Sequence, residues 1–270
     1  MPRALAAIAA FGLTVAVLAN PAGSEARPKP KPSPTPTVVP SATPWPTPSA
    51  TPSPTATAVP TFVDGIDVSY HQGTIDWTRV AGAGKRFAYI RASAGTLTAD
   101  TTYVSNRVGA RGAGLTVGSY HFANPDGAAN DAANEAAWFL RNATIGSGDL
   151  LPVLDLEVSN GLAPAALLDW ARIWLANVEA ATGVRPVIYT TPSFWVTSMA
   201  NTDWFALNGY RLWIAHWTTA SQPTVPAGNW AGQGWTLWQH SSTGSVPGIA
   251  GAVDLDRFNG AALPSALLVP

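Results

Sequence analysis

No cysteine occurs among the 270 residues, so the chain has no disulfide framework, thiol nucleophile, thiolate metal site or lipid-modified cysteine. Charge is also scarce. Only 11% of residues are charged and the formal net charge is −1, which leaves no basic footprint for nucleic acid. Several catalytic signatures are missing as well. Gly82-Ala-Gly84-Lys85 lacks the spacing of a phosphate loop and its following Ser or Thr, and no Gly-x-Ser-x-Gly elbow is present. The four histidines, His71, His121, His216 and His240, show no His-Glu-x-x-His spacing, so no metal site and no cofactor are expected. Tryptophan, by contrast, is abundant at 12 copies. Many aromatics with few charges suit neutral, polyhydroxylated ligands better than polyanions.

The chain changes material twice. Pro2 and Arg3 precede an uncharged apolar run, Ala4 to Ala19, and small residues follow through Ala26. At about 16 residues the run falls short of the roughly 20 that a membrane-spanning helix needs. Residues 1–26 are therefore expected to be an export signal, cleaved between Ala19 and Ala26, with no membrane association afterwards. In residues 27–61 Pro alternates with Ser, Thr and Ala, a composition that cannot bury enough apolar surface to fold. This segment reads as a disordered Pro/Thr/Ser-rich spacer with a reach on the order of 100 Å.

From residue 62 to 263 short β-rich runs recur between Gly-rich or helical stretches. Eight strands are expected, at 65–70, 87–93, 116–123, 150–158, 186–191, 211–217, 236–241 and 253–258, followed by a short tail at 264–270. Helices are expected at 100–113, at 126–142 and, most clearly, at 164–181, which Pro164 opens and Gly183 stops. Alternating strands and helices argue for parallel βα units. The fold class is thus α/β, an irregular (β/α)8-like barrel with eight strands and fewer helices, because the later connections are too short or too rich in Gly and Pro to hold full helices.

Barrels of this kind carry functional side chains at the carboxyl ends of their strands. Asp67 lies late in the first strand, Asp155 and Glu157 late in the fourth, and Asp254 in the eighth, which closes against the first. Residues i and i+2 of a strand share a face, so Asp155 and Glu157 are expected to point the same way and to raise each other's pKa. A raised carboxyl can act as a general acid near neutral pH. The competing reading, that the pair only solubilises a strand end, is weakened by the convergence of four acids from separate strands on one mouth.

The stretches Gly65-Ile-Asp-Val-Ser69, Gly118-Ser-Tyr-His-Phe122, Pro152-Val-Leu-Asp-Leu-Glu157, Arg185-Pro-Val-Ile-Tyr189, Leu212-Trp-Ile-Ala215, Leu237-Trp-Gln239 and Val253-Asp-Leu-Asp-Arg-Phe258, in this order, resemble the glycoside hydrolase family 25 lysozymes, the Chalaropsis type. The resemblance implies an irregular βα barrel and a secreted, monomeric N-acetylmuramidase. Such an enzyme cleaves the β-1,4 bond between N-acetylmuramic acid and N-acetylglucosamine in bacterial peptidoglycan. By motif it implies Glu157 as general acid, Asp155 as its partner, and Asp67 and Asp254 completing the acidic site. Two departures stand out: Ala94 replaces an acid that relatives often carry at the rim, and His71 stands where they often have an aromatic. Tyr120, Tyr189, Trp217 and Gln239 are candidates for sugar contact, with core packing the competing reading for each. Asp256 reads as a structural acid that binds backbone amides or pairs with Arg257. Direct attack by Asp155, activation of water and assistance by the substrate's acetamido group all remain open. The rival from another class is a wall-binding module without catalysis, which has no need of four acids.

Overall fold

The computed structural model describes residues 61–270. The export signal expected at 1–26 lies outside the described residues, as does the expected spacer up to residue 60. Nine strands form one sheet: β1 (Val63–Val68), β2 (Phe87–Ala94), β3 (Thr98–Ala99), β4 (Thr116–Phe122), β5 (Val153–Asp155), β6 (Val187–Thr190), β7 (Arg211–Ala215), β8 (Leu237–Gly244) and β9 (Val253–Phe258). β3 is a two-residue edge on β2, and the other eight close into a barrel because β1 pairs with both β2 and β9. The expected eight-stranded barrel is therefore present.

One expectation needs correction. The barrel strands β1, β2 and β4 to β8 pair in parallel, but β9 runs antiparallel to both of its neighbours. The cause is the connection between β8 and β9, which spans residues 245–252 and includes Gly248 and Gly251 at positive φ. A parallel crossover takes a dozen or more residues, so this segment permits only a hairpin-like return. Asp254 is consequently near the start of its strand and still at the same mouth as the other strands' carboxyl ends, in direct register with Asp67.

Side chains alternate strictly between two cores. The outward set, including Ile66, Ile90, Val117, Leu154, Ile188 and Ile214, packs against the helices. The inward set fills the barrel from below: Val63, Phe87, Val153, Val187, Leu237 and Phe258 pack with Leu150, Leu151 and Leu267. Above them Tyr89 stacks on Trp213 with centroids 4.7 Å apart, and Tyr189 meets the same indole edge-on at 4.9 Å. Residues 264–270 take part in this closed end, since Leu151 N donates to Leu267 O at 3.0 Å and Val269 N to Asp149 O at 2.7 Å.

Of the helices, only α2 (Tyr103–Gly112), α3 (Asp131–Asn142) and α4 (Pro164–Thr182) run to 10 residues or more. The shorter ones include α1 (Trp77–Gly82), α5 (Pro192–Ser198) and α6 (Trp204–Leu207). α4 begins on Pro164 and ends on Gly183 in the left-handed conformation, as expected. It buries Leu167, Ala171, Trp174, Leu175 and Val178, with Trp174 against Phe139 of α3 at 5.4 Å. α3 starts later than expected. The Asp126 carboxylate accepts from Ala128 N at 2.7 Å, which favours a turn, and Asn130 is left-handed.

Gly65 sits in β1 directly beside Phe87, and a Cβ added there would overlap the Phe87 ring. The barrel interior has no slack to absorb that methyl. Gly65→Ala is expected to destabilise the domain by about 1–3 kcal/mol, measured as a lower midpoint in denaturant without a change in slope.

Candidate active site

The inward phase of the strands changes character at the mouth. Above the Tyr89–Trp213 layer the next inward residues are Asp67 on β1, Arg91 on β2, Tyr120 on β4, Asp155 on β5, Tyr189 on β6, Gln239 on β8 and Asp254 on β9. These residues line one cavity of about 340 Å³, together with Ser69, His71, Gln72, Phe122, Glu157, Trp213, Trp217 and Ser242. Each of the eight residues singled out in the sequence faces this space.

Glu157 reaches it by a different route from the one expected. β5 ends at Asp155, so the two acids do not share a regular strand. The strand is also short from below: Pro152 has no N–H for a ladder, and Leu151 N donates to Leu267 O of the carboxyl-terminal segment instead. Leu156 N still donates to Tyr189 O at 3.0 Å, which prolongs the extended course by one residue. Glu157 then leaves the barrel at its rim, half-buried, above the buried Asp155.

The electrostatics follow from placing acids in a desolvated mouth. Asp155 is raised well above the ordinary carboxylate range, first by burial, then by the charges of Glu157 and Asp67. Its Oδ1 is sealed and receives no hydrogen bond from the described residues, which disfavours the charge further. Asp67 is pushed up to about 8 by burial and by Asp254, against the opposing effect of its hydrogen bonds. Asp254 rises to about 6 and Glu157 also rises, both chiefly by burial, with Asp254 adding its charge at Glu157. Four carboxyls this close titrate as a set. The set holds protons at a pH where isolated carboxyls have lost theirs.

A hydrogen-bonded frame holds the acids and the aromatic walls in place. Gln239 Nε2 donates to Asp67 Oδ2 at 2.7 Å, while Gln239 Oε1 accepts from Tyr189 Oη and from Trp217 Nε1, both at 3.1 Å. Trp217 is nonetheless 59% exposed, so its ring face is open at the rim. Gln239 is thus a framing residue as well as a cavity wall. On the opposite side Ser69 opens a capped turn whose Tyr70 and His71 rings lie 4.0 Å apart. Ala94 stands beside Phe122 in the β2–β4 ladder and leaves that part of the rim uncharged.

Sequence reasoning passed over Arg91, the one guanidinium lining the cavity. Its Nε is 3.1 Å from Asp100 Oδ2 and its guanidinium lies 4.8 Å over the Tyr70 ring. Its charge favours the ionised form of Asp155. The signal was its phase, since Phe87, Tyr89 and Arg91 follow one another on the inward face of β2. Trp213 was passed over for the same reason and forms the cavity floor. Two tryptophans of α4 serve packing instead: Trp174 is buried, and Trp170 Nε1 donates to Asp131 Oδ2 at 2.7 Å. No cluster of metal-ligating side chains occurs among the described residues.

The sequence model of Glycosyl hydrolases family 25 matches residues 66–249. Lysozyme M1 of Streptomyces globisporus is 40% identical over 209 residues, covering 74% of this chain and 69% of that protein. The N,O-diacetylmuramidase of Chalaropsis sp is 33% identical, with 71% of this chain and 96% of that protein covered. The crystal structure of a bacterial lysozyme from Streptomyces coelicolor superimposes with a TM-score of 0.69 at 39% identity, over 74% of this chain and 93% of that one.

The acid cluster makes a stability prediction. Burial and the Asp254 charge push Asp67 from an ordinary 3.8 up to about 8, so folding favours its protonated form. Its contribution is full below about pH 4 and is lost as pH rises through about 8. Asp67→Asn is expected to raise the melting temperature at pH 8 by at least about 3 °C, roughly one kcal/mol, and to reduce the loss of stability between pH 4 and 8. Thermal melts across that range measure both effects.

Proposed function

The chain belongs to the glycosyl hydrolases of family 25, and from that premise we propose that it is a lysozyme hydrolysing the β-1,4 bond between N-acetylmuramic acid and N-acetylglucosamine in peptidoglycan. The observation that carries the reading is the convergence of four carboxyls, all with raised pKa, in one cavity walled by aromatic and amide side chains. A module that only binds glycan gains nothing from burying four acids together, which is costly for stability.

In this reading Glu157 is the general acid. Its rim position puts it where a bound glycan passes, and burial with the Asp254 charge favours its protonated form. It delivers that proton to the glycosidic oxygen as positive charge develops on the muramic sugar, a transfer typically worth about 10²- to 10⁴-fold. Asp155, one layer deeper, is its partner on the side of the ring where that charge develops. Arg91 favours ionisation of Asp155, which the developing cation would reinforce. Asp67 and Asp254 complete the site, Asp67 held by Gln239. Tyr120, Tyr189 and Trp217 supply rings for the apolar faces of the sugars, with Trp217 the most open of them.

The site of action follows from the sequence. The basic start and apolar run of residues 1–26 support export, and the Pro-rich stretch to residue 61 supports a catalytic domain held away from its point of attachment or release. Among the described residues no helix is long and apolar enough to cross a membrane.

Digestion of purified peptidoglycan, followed by reduction and identification of the new reducing-end sugar, is expected to yield muramic acid. Glucosamine ends would make the enzyme a glucosaminidase, and no release would return the chain to a binding role. Glu157→Gln is expected to lower kcat at least about 10²-fold with the fold intact, read from initial rates beside a circular dichroism spectrum.

A further inference from the structure

Beneath the four carboxyls lies a fifth that the reaction as described leaves unused. Asp256 is the inward residue next below Asp254 on β9, and it is 0% exposed. In the barrel register it stands beside Gly65 of β1 and Gln239 of β8. The expected pairing with Arg257 does not occur: Arg257 turns outward, its Nε 3.5 Å from Asp64 Oδ1. Asp256 Oδ1 accepts a hydrogen bond from Trp213 Nε1 at 2.9 Å. Oδ2 is buried and has no hydrogen-bond partner among the described residues. Asp67 follows Gly65 on the inward face of β1, diagonally across the ladder from Asp256, and its charge disfavours ionisation of Asp256.

Two buried carboxyls side by side, one with an unpartnered oxygen, have a chemical requirement. Ionised carboxylates only accept hydrogen bonds, so two carboxyls can bond to each other only when one of them carries a proton. We propose that Asp256 is a positioning residue for the hydrolysis, a neutral carboxylic acid that donates its proton to a hydrogen bond with Asp67 and holds that carboxyl toward the cavity. Asp67 is then gripped from two sides, by Gln239 Nε2 and by Asp256, and Asp256 is itself oriented by Trp213 on the cavity floor. The charged and titratable groups around Asp256 are Asp67 from β1, Asp254 from its own strand, Tyr89 from β2, and Lys85 just before β2. Burial and the charges of Asp67 and Asp254 both disfavour ionisation of Asp256, and the distant, partly solvated Lys85 does not reverse this. The inference rests on the reading of Asp67 as part of the acid site.

The test uses Asp256→Asn and Asp256→Ala in the full chain. Asn keeps a donor at the same place without a titrating proton, and Ala removes it. Asp256→Ala is expected to lower kcat on peptidoglycan at least about tenfold with KM within about twofold. It is also expected to move the ionisation limb set by Asp67 to higher pH, because Asp67 loses a donor to its charged form. Asp256→Asn is expected to recover most of that loss, to within roughly threefold of the parent kcat. A folded Asp256→Asn as impaired as Asp256→Ala overturns the proposal, as does a folded Asp256→Ala with the parent kcat and pH profile. Infrared difference spectra give a readout that needs neither turnover nor the Ala variant. At neutral pH the parent is expected to show a protonated-carboxyl carbonyl band that Asp256→Asn lacks, and identical carboxyl bands in the two overturn the shared proton. A parent enzyme that shows the band but releases no reducing ends overturns the functional reading of the site and leaves the proton assignment standing.

Discussion

Closure of the sheet forces every strand to commit one face to a narrow interior, and the rest of this structure depends on that constraint. Because side chains alternate with a period of two, choosing which residue of each strand points inward at the bottom also chooses which points inward at the top. The lower interior is packed to exclusion with Phe87, Phe258 and branched aliphatics, and the middle layer with Tyr89 and Trp213. Only the uppermost layer is left open. The residues that the same phase delivers there are Asp67, Arg91, Tyr120, Asp155, Tyr189, Gln239 and Asp254.

The packed floor is what gives the acids their chemistry. Trp213 closes the cavity from below and donates its one N–H to Asp256, so no water column reaches the carboxyls from inside the barrel. With desolvation from beneath and like charges alongside, the leading cause of each raised pKa in the cluster is burial. The protein opposes this with a few directed interactions rather than with a full set of counter-charges: Gln239 on Asp67, and Arg91 acting on Asp155. The cluster therefore retains protons, which suits proton delivery to a glycosidic oxygen and lowers stability as pH rises. Such an opposition of function and stability is common at active sites.

The outer shell shows the same division between support and chemistry. His121, which carries a titratable ring in β4, points outward and is bound by Ser93 at 2.8 Å and by Glu135 at 2.8 Å. It lies in the layer between barrel and helices, stacked 5.5 Å from Trp174. Its phase is opposite to that of Tyr120, so it ties α3 to the sheet while its neighbour faces the cavity. Asp149 does similar work at the closed end, accepting from Arg107 and Arg111 of α2.

Much of the fold was legible because its signals are local. Period-two alternation marked the eight barrel strands, Pro164 and Gly183 bounded α4, and the repeated placement of acids late in strands marked the mouth. The start of α3 was misjudged by a few residues because Asp126 serves a turn as readily as a helix. The antiparallel course of β9 was missed because strand direction depends on how far a connection must travel, although the shortness of residues 245–252 held the clue. Asp256 was taken for a structural acid because pairing with the adjacent Arg257 is the local expectation; only the closed barrel turns the two to opposite faces.

What the sequence by itself determined is the set of elements, the inward phase of each strand and the identity of the acids that phase exposes. These follow from backbone geometry and from side-chain type, which are properties of a few consecutive residues. Tertiary structure alone decided the reach of Glu157 beyond the end of β5, the register that sets Asp67 beside Asp254, and the burial of Asp256 on the same inward face. These are meetings of residues about 30 to about 190 positions apart, and their energetics come from desolvation and Coulomb interaction, which act through space and are set by distance rather than by order along the chain.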